Sequence, residues 1–339
     1  LGTTTFDGTG SSLWGDAKAS SLSTNIGNVV IDGTAKTITL SNNVGSESLT
    51  IGSDDTLNAS GSGFNINVLR NWTNNNAFVP QSGTVSFIGA STAVIARGVS
   101  AFNNLSFTGV GGNWSFSTST LALNGTLTIA TGTVTLPTGT TTIGGSFLNT
   151  GGQFAHNNGE VRMTSSVAGR TITQGATNFL NAFYDLTFAG SGAWSYTESA
   201  ATTTRNFRIQ SGTVTMPSGT LTVGGDFAVS GSGAFAHNNG EVILTVQDAN
   251  VINTNGSSFN NLRTRGGTGS WYNNNWLQRK AITIAASQVG ETVTDFPVYV
   301  DLATLGSDFF TGVKSDGSDI RVTASDGITE LPYELVTIN

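Results

Sequence analysis

A stretch of about 80 residues recurs along this chain, and that recurrence restricts its possible folds more than any other feature. Gln153-Phe154-Ala155-His156-Asn157-Asn158-Gly159-Glu160-Val161 returns as Ala234-Phe235-Ala236-His237-Asn238-Asn239-Gly240-Glu241-Val242. Gly132-Thr133-Val134-Thr135-Leu136-Pro137 returns as Gly212-Thr213-Val214-Thr215-Met216-Pro217. A looser copy, Ala77-Phe78-Val79-Pro80-Gln81-Ser82-Gly83-Thr84-Val85, precedes both. A second landmark keeps step: Phe102-Asn103-Asn104-Leu105, Phe183-Tyr184-Asp185-Leu186 and Phe259-Asn260-Asn261-Leu262, each followed by a tryptophan, Trp114, Trp194 or Trp271. Repeats of this kind gain stability by stacking on one another, so the expected body is a solenoid forming an elongated shaft.

The texture inside each repeat names the secondary structure. Leu127 and Ile129 alternate with Thr126 and Thr128, and Val134 and Leu136 with Thr133 and Thr135. Period two turns one set of side chains inward and leaves Thr and Ser outside. Gly, Asn, Ser or Pro interrupts every few residues, so the strands are short. Three such strands make a coil of roughly 20–25 residues, and one repeat then holds three to four coils stacked at about 4.8 Å. A globular sandwich also contains short strands but gives no reason for the matched spacing of Pro137 to Pro217 and His156 to His237. The fold class expected is all-β: a β-solenoid, or β-helix, of repeated units followed by a partial β-sandwich. Residues 1–70 read as an N-terminal cap with degenerate coils, 71–271 as the solenoid with three repeat copies, and 272–339 as the partial sandwich. In the last segment charge rises and the strands lengthen, as in Val298-Tyr299-Val300-Asp301-Leu302.

Composition narrows the function classes. Only 10% of residues are charged, yet 37% are hydrophobic and 44 are glycine, which suits a folded β protein more than a disordered one. The net charge of −7 argues against nucleic acid, whose binding depends on Lys and Arg neutralising phosphates. No apolar run approaches the ~20 residues of a membrane-spanning helix, so no membrane insertion is expected. Without cysteine there is neither a disulfide nor a thiolate metal site. The chain opens at Leu1 with no basic leader, which is read as a secreted chain after signal removal, or as a fragment.

Two resemblances follow from these motifs. The Gly/Thr/Asn-rich repeat resembles the β-solenoid arrays of large bacterial surface proteins, in the style of filamentous haemagglutinin-type adhesins. Trp276, Arg279, Ile282-Thr283-Ile284, Asp316-Gly317-Ser318-Asp319-Ile320-Arg321, Asp326-Gly327 and Leu331-Pro332-Tyr333-Glu334 resemble the N-terminal half of an uncharacterised jelly-roll-like domain of surface and envelope proteins. Both resemblances imply an extracellular or cell-surface setting.

Candidate sites are few. His156 and His237 sit in identical Ala-His-Asn-Asn-Gly-Glu segments; the first copy has Pro80-Gln81-Ser82-Gly83-Thr84 instead, so the histidines read as turn residues and not as metal ligands. Asp316, Asp319 and Asp326 place carboxylates on loops, the setting calcium favours, although Asx turns explain the same residues; no other cofactor is indicated. Trp114, Trp194 and Trp271 are glycan-stacking candidates, with packing the favoured reading. The acids are scattered, so no catalytic pair is named and no enzyme is expected. Leu1, Gly2, Thr3, Thr4, Thr5 and Phe6 form a candidate strand for assembly, adding to a neighbour's open β edge. The functional expectation is a structural protein that self-associates head to tail into a homopolymer, a surface filament or fibrous layer. The alternative is a monomeric adhesin binding glycans, with a polysaccharide-cleaving β-helix enzyme behind it.

Overall fold

A computed structural model describes residues 2–16, 26–175, 181–246, 251–266, 282, 297–305, 313–324 and 329–336. The chain divides into two units, Leu1–Arg265 and Gly266–Asn339. The first is a parallel β-solenoid of about 12 turns. Its strands run mostly three to seven residues, from Thr3–Phe6 to Asn261–Gly266, and there is no α-helix among the described residues. The expectation of a β-solenoid therefore holds, and the described strands within 1–70 belong to the same stack: Asn28–Ile31 pairs in parallel with both Thr3–Phe6 and Leu49–Ile51.

Each coil contributes one strand to each of three faces. Asn113, Thr133 and Gln153 stand in register on the first face, twenty residues apart. Thr142, Arg162 and Thr187 do so on the second. On the third, Ser86, Ser106 and Thr128 follow one another. Alternation places Val, Ile, Leu, Phe and Trp inside, where Ile31, Ile51, Trp72, Leu105, Phe147 and Phe227 are wholly buried. A fully buried side chain of this size stabilises by about 1.5–3 kcal/mol, and each is shared with the coils on either side.

The sequence landmarks meet in this interior. Phe147, Phe154 and Phe183 form a triangle of rings with centroids 5.0, 4.9 and 5.2 Å apart. Phe227, Phe235 and Phe259 repeat it at 5.3, 5.1 and 5.2 Å. Trp72, Phe78 and Phe102 build the first copy at 4.9, 5.4 and 5.9 Å. At each triangle a face is reduced to a single bridge or less, as at Phe102↔Leu123 and Phe183↔Thr203. A side-chain oxygen two residues earlier takes over the missing pairing. The amides of Phe78, Phe154 and Phe235 donate to Ser100 Oγ (2.9 Å), Asn181 Oδ1 (3.0 Å) and Ser257 Oγ (3.2 Å).

One repeat is not a whole number of coils. From Thr133–Thr135 to its copy Thr213–Thr215 there are eleven strand positions, ten strands plus the Phe183 bridge. Eleven is three coils and two faces, so Thr133–Thr135 lies on the first face and Thr213–Thr215 on the third. Gln153–Ala155 and Ala234–Ala236 are displaced in the same way. Equivalent residues of successive repeats therefore look out in directions a third of a turn apart.

Corners are held by small polar side chains that reach from coil to coil. Asn43 Oδ1 accepts the Asn65 amide at 2.8 Å, and Asn65 Oδ1 the Thr84 amide at 2.9 Å. Further along, Asn104 Oδ1, Thr126 Oγ1 and Ser146 Oγ accept the amides of Thr126, Ser146 and Thr171. This explains the abundance of Asn, Ser and Thr: each satisfies a backbone donor that a corner removes from the strand ladder. Where two backbones touch, only glycine fits: a Cβ on Gly89 would lie 1.8 Å from the Leu69 carbonyl oxygen.

In the second unit the described residues contain a 3-10 turn, Leu302–Leu305, and one antiparallel bridge, Thr323↔Glu330. Of the segments expected to form sandwich strands, 298–302, 320–322 and 331–335 are described and none of them is a strand, while 276–284 lies outside the described residues except for Ile282.

Candidate functional site

Asn157, Asn158, Asn238 and Asn239 all have positive φ, between 48° and 61°, so the two Ala-His-Asn-Asn-Gly segments make the same left-handed turn. His156 Nδ1 accepts the Asn158 amide at 2.9 Å and His237 Nδ1 the Asn239 amide at 3.0 Å. Each imidazole thus does what an Asx side chain does at such a turn. Accepting through Nδ1 requires the neutral ring, and burial lowers the pKa of His156 from the ordinary imidazole value.

The tryptophans are interior. Trp114 and Trp194 are 0% and 1% exposed, at the centre of the first and third faces, so neither offers a ring to a glycan. Both stand at the inward position of their strands, flanked by outward Asn113 and Ser115 or Ala193 and Ser195. Even exposed, they would have faced different ways, which corrects the reading of a stacking row. Trp271 lies outside the described residues.

Of the calcium candidates, Asp316 accepts the Ser318 amide at 3.0 Å, and Asp319 accepts the Lys314 amide through both oxygens at 3.0 and 3.1 Å. The Ser318 amide lowers the pKa of Asp316. These are turn bonds, and among the described residues no three His, Asp or Glu side chains converge as metal ligands. Asp326 lies outside the described residues.

Thr3, Thr4, Thr5 and Phe6 pair in register with Asn28, Val29, Val30 and Ile31. This strand is engaged within its own chain, with Phe6 against the core, and is not a free donor strand. Gly2 adjoins it and accepts the Asn28 amide through its carbonyl at 3.0 Å; Leu1 lies outside the described residues.

Between Arg97 and Glu160 the sequence carries no Asp, Glu, Lys or Arg. A charged group then appears on the second face. Glu160 and Asp185 are in register on adjacent coils, as are Arg162 and Thr187, and Thr187 and Arg208. Asp185 is surrounded by donors: Arg205 at 3.1 Å, the Asn206 amide at 3.1 Å and the Asn206 side chain at 2.8 Å. The contacts of Arg162 with Glu160 and of Arg208 with Asp185 are longer, 3.7 and 3.8 Å. Arg162 also reaches across two coils to donate to Gln210 at 2.8 Å. Between the two arginines Thr187 points outward in the strand alternation yet is 0% exposed, and its hydroxyl has no hydrogen-bond partner. Beside this group, His156 stacks on Tyr184 at 5.2 Å and Arg205 lies over the same ring at 5.3 Å. Glu160 and Asp185 are scattered acids that the fold brings together on adjacent coils. Asp185 is committed to its donors and Glu160 lies beside Arg162, an ion-pair arrangement and not an acid poised for proton transfer.

An open groove of about 420 Å³ at another corner is lined by Asn149, Thr173, Gly175, Glu198 and Ala200. Its polar groups are occupied: Glu198 accepts the Gln174 and Gly175 amides at 2.9 and 2.6 Å, and Asn149 donates to the Gln174 carbonyl at 2.9 Å. Gln174, fully buried, joins Asn181 on its own coil to Thr202 on the next.

Sequence reasoning missed Arg162, Arg208 and Gln174. The signal for the arginines lay in comparing copies, since Ser86 and Thr128 occupy the equivalent places in the first repeat. Comparison with protein-family models, curated proteins and solved structures gives no significant match. The likeness to haemagglutinin-type arrays thus extends only as far as the solenoid itself, and nothing in those comparisons speaks for a jelly-roll domain.

Proposed function

We propose that the chain is an extracellular structural protein, a subunit of a cell-surface filament or fibrous layer built head to tail through β contacts. The observation that carries this reading is the parallel stack of coils with an apolar interior filled by its own side chains. Such a stack satisfies each coil's N–H and C=O groups through the coils above and below, so a terminal coil presents its ladder to whatever lies next. Among the described residues the outer edges of Thr3–Phe6 and Thr9–Trp14 have no strand partner, and Leu13 there is 72% exposed. A head-to-tail contact between copies does not close on itself and propagates as a filament. Sparse surface charge supports the same reading, because neighbouring copies repel little. The chemistry is mechanical and associative, with no catalytic step and no cofactor.

Electron microscopy of the purified protein near physiological salt tests this. Long filaments with a regular axial repeat are expected, and dispersed single particles at every concentration would overturn it.

A further inference from the structure

The three repeats share one backbone frame, so one copy serves as an internal control for another. In the first copy Ser86, Ser106 and Thr128 stand in register on three adjacent coils. In the second the same places hold Arg162, Thr187 and Arg208. The segments align without gaps: Thr84-Val85-Ser86-Phe87 with Glu160-Val161-Arg162-Met163, Leu105-Ser106-Phe107 with Leu186-Thr187-Phe188, and Leu127-Thr128-Ile129 with Phe207-Arg208-Ile209. The fold is therefore satisfied by three small hydroxyls, and neither arginine is needed to build a coil.

We propose that Arg162 and Arg208, with Arg205 beside them, form a binding site for the oxyanion groups of an acidic polysaccharide. Local charge supports this. Among the described residues Arg162, Arg205 and Arg208 make ion pairs with Glu160 and Asp185, and Asp226 stands one coil further along the row of Asp185 and Asn206, in a chain whose net charge is −7. Arg205 is the cation that holds Asp185 closely, at 3.1 Å, while the other two arginines make only long ion pairs. A guanidinium has five N–H donors in a planar fork that suits carboxylate or sulfate oxygens. Beyond the ion pairs, Arg162 makes one hydrogen bond, to Gln210. The two Cα positions are two strand spacings apart, about 9.6 Å, which two long side chains span readily around one oxyanion. Between them lies the Thr187 hydroxyl, buried and without a partner, a polar atom that this frame leaves unsatisfied.

The surroundings favour a polysaccharide over a small free anion. The site lies on an open face with no enclosing cavity, where a single anion would gain little. Thr140 and Thr142 continue the two outward rows on the preceding coil, in register with Glu160 and Arg162. The Tyr184 edge and the His156 turn flank the same strip. A hydroxyl-bearing polymer with regularly placed charges can use the arginines and this neutral rim together.

The test uses the full chain at low ionic strength, because exposed charge pairs are screened by salt. Affinity electrophoresis and calorimetry would compare polygalacturonate, dextran sulfate, neutral dextran and poly-glutamate. Binding to one or both acidic polysaccharides and not to neutral dextran is expected, and the preferred one tells carboxylate from sulfate. The double substitution Arg162→Ser with Arg208→Thr restores the residues of the first copy and should weaken binding at least tenfold. The converse pair, Ser86→Arg with Thr128→Arg, should raise the number of polymer segments bound per chain. Failure of both acidic polysaccharides to bind, unchanged affinity in the restored variant, or binding confined to poly-glutamate would overturn the proposal. Because the fold already holds serine and threonine at these places, loss of binding in the restored variant would not reflect misfolding; unchanged hydrogen exchange in the surrounding coils checks that.

Discussion

Phe183→Ala removes one corner of the ring triangle at the middle repeat. Phe183 is fully buried, with Phe147 at 4.9 Å and Phe154 at 5.2 Å. A buried Phe→Ala change costs about 3–5 kcal/mol, through lost transfer energy and the cavity left behind. Two aromatic pairs at about 0.5–1.5 kcal/mol each fall within that total. Phe259 is the same residue of the next repeat, with rings at 5.1 and 5.2 Å, but it is only partly buried. Phe259→Ala should therefore cost about 1–2 kcal/mol. A stack of coils need not unfold as one unit, so a single melting temperature is a poor readout. Hydrogen exchange followed by mass spectrometry reads the loss locally. At about 1.4 kcal/mol per tenfold, Phe183→Ala should speed exchange around Phe147, Phe154 and Phe183 by about 140- to 3,700-fold. Coils as distant as Asn28–Ile31 should stay protected. Equal acceleration in both variants would refute the burial argument, and acceleration spread evenly over the whole stack would refute nearest-neighbour coupling.

Gly89→Ala places a methyl group 1.8 Å from the Leu69 carbonyl oxygen, a backbone atom that cannot rotate away, and should lower the urea midpoint sharply. Gly61→Ala, with nothing within 4 Å and no left-handed φ, is the matched control and should be neutral or slightly stabilising. His156 contributes most as the neutral ring, and its folded pKa is lowered by burial, so the unfolded chain binds the proton more readily. Its contribution should be complete above the ordinary imidazole pKa of about 6.5 and be lost as pH falls below that toward the folded value. His156→Asn keeps an acceptor for the Asn158 amide without titrating there, and should flatten part of the fall in stability between about pH 7 and pH 5; an identical pH profile would contradict the turn assignment.

The solenoid was legible because two signals agreed: alternation such as Leu127-Thr128-Ile129, and a long repeat with matched spacing. Both depend on neighbouring residues, which a sequence displays directly. What escaped depends on counting strands. Eleven strand positions, the Phe183 bridge among them, separate Trp114 from Trp194, and because eleven is not a multiple of three the two stand on different faces. Reading them as a row needed a direction that residue spacing does not contain. Their burial was legible in the alternation, where polar Asn113 and Ser115 flank Trp114. The charged strip escaped for a related reason: Arg162 meets Gln210 across 48 residues, through two intervening changes of coil. Small corner residues were seen as turn formers, but their work of handing hydrogen bonds from coil to coil appears only once Asn43, Asn65 and Thr84 are stacked.

The mismatch between eleven strand positions and three faces gives repeat number an angular meaning. Inserting one whole repeat lengthens the stack by about 18 Å, at about 4.8 Å per coil. It also swings the azimuth of everything beyond the insertion by a third of a revolution. Only a change of three repeats restores the original bearing. Duplication or loss of a repeat, a change that leaves every local contact intact, would thus reset which side of a neighbour the distal strips confront. In this architecture copy number tunes orientation as well as reach, with no new residue required.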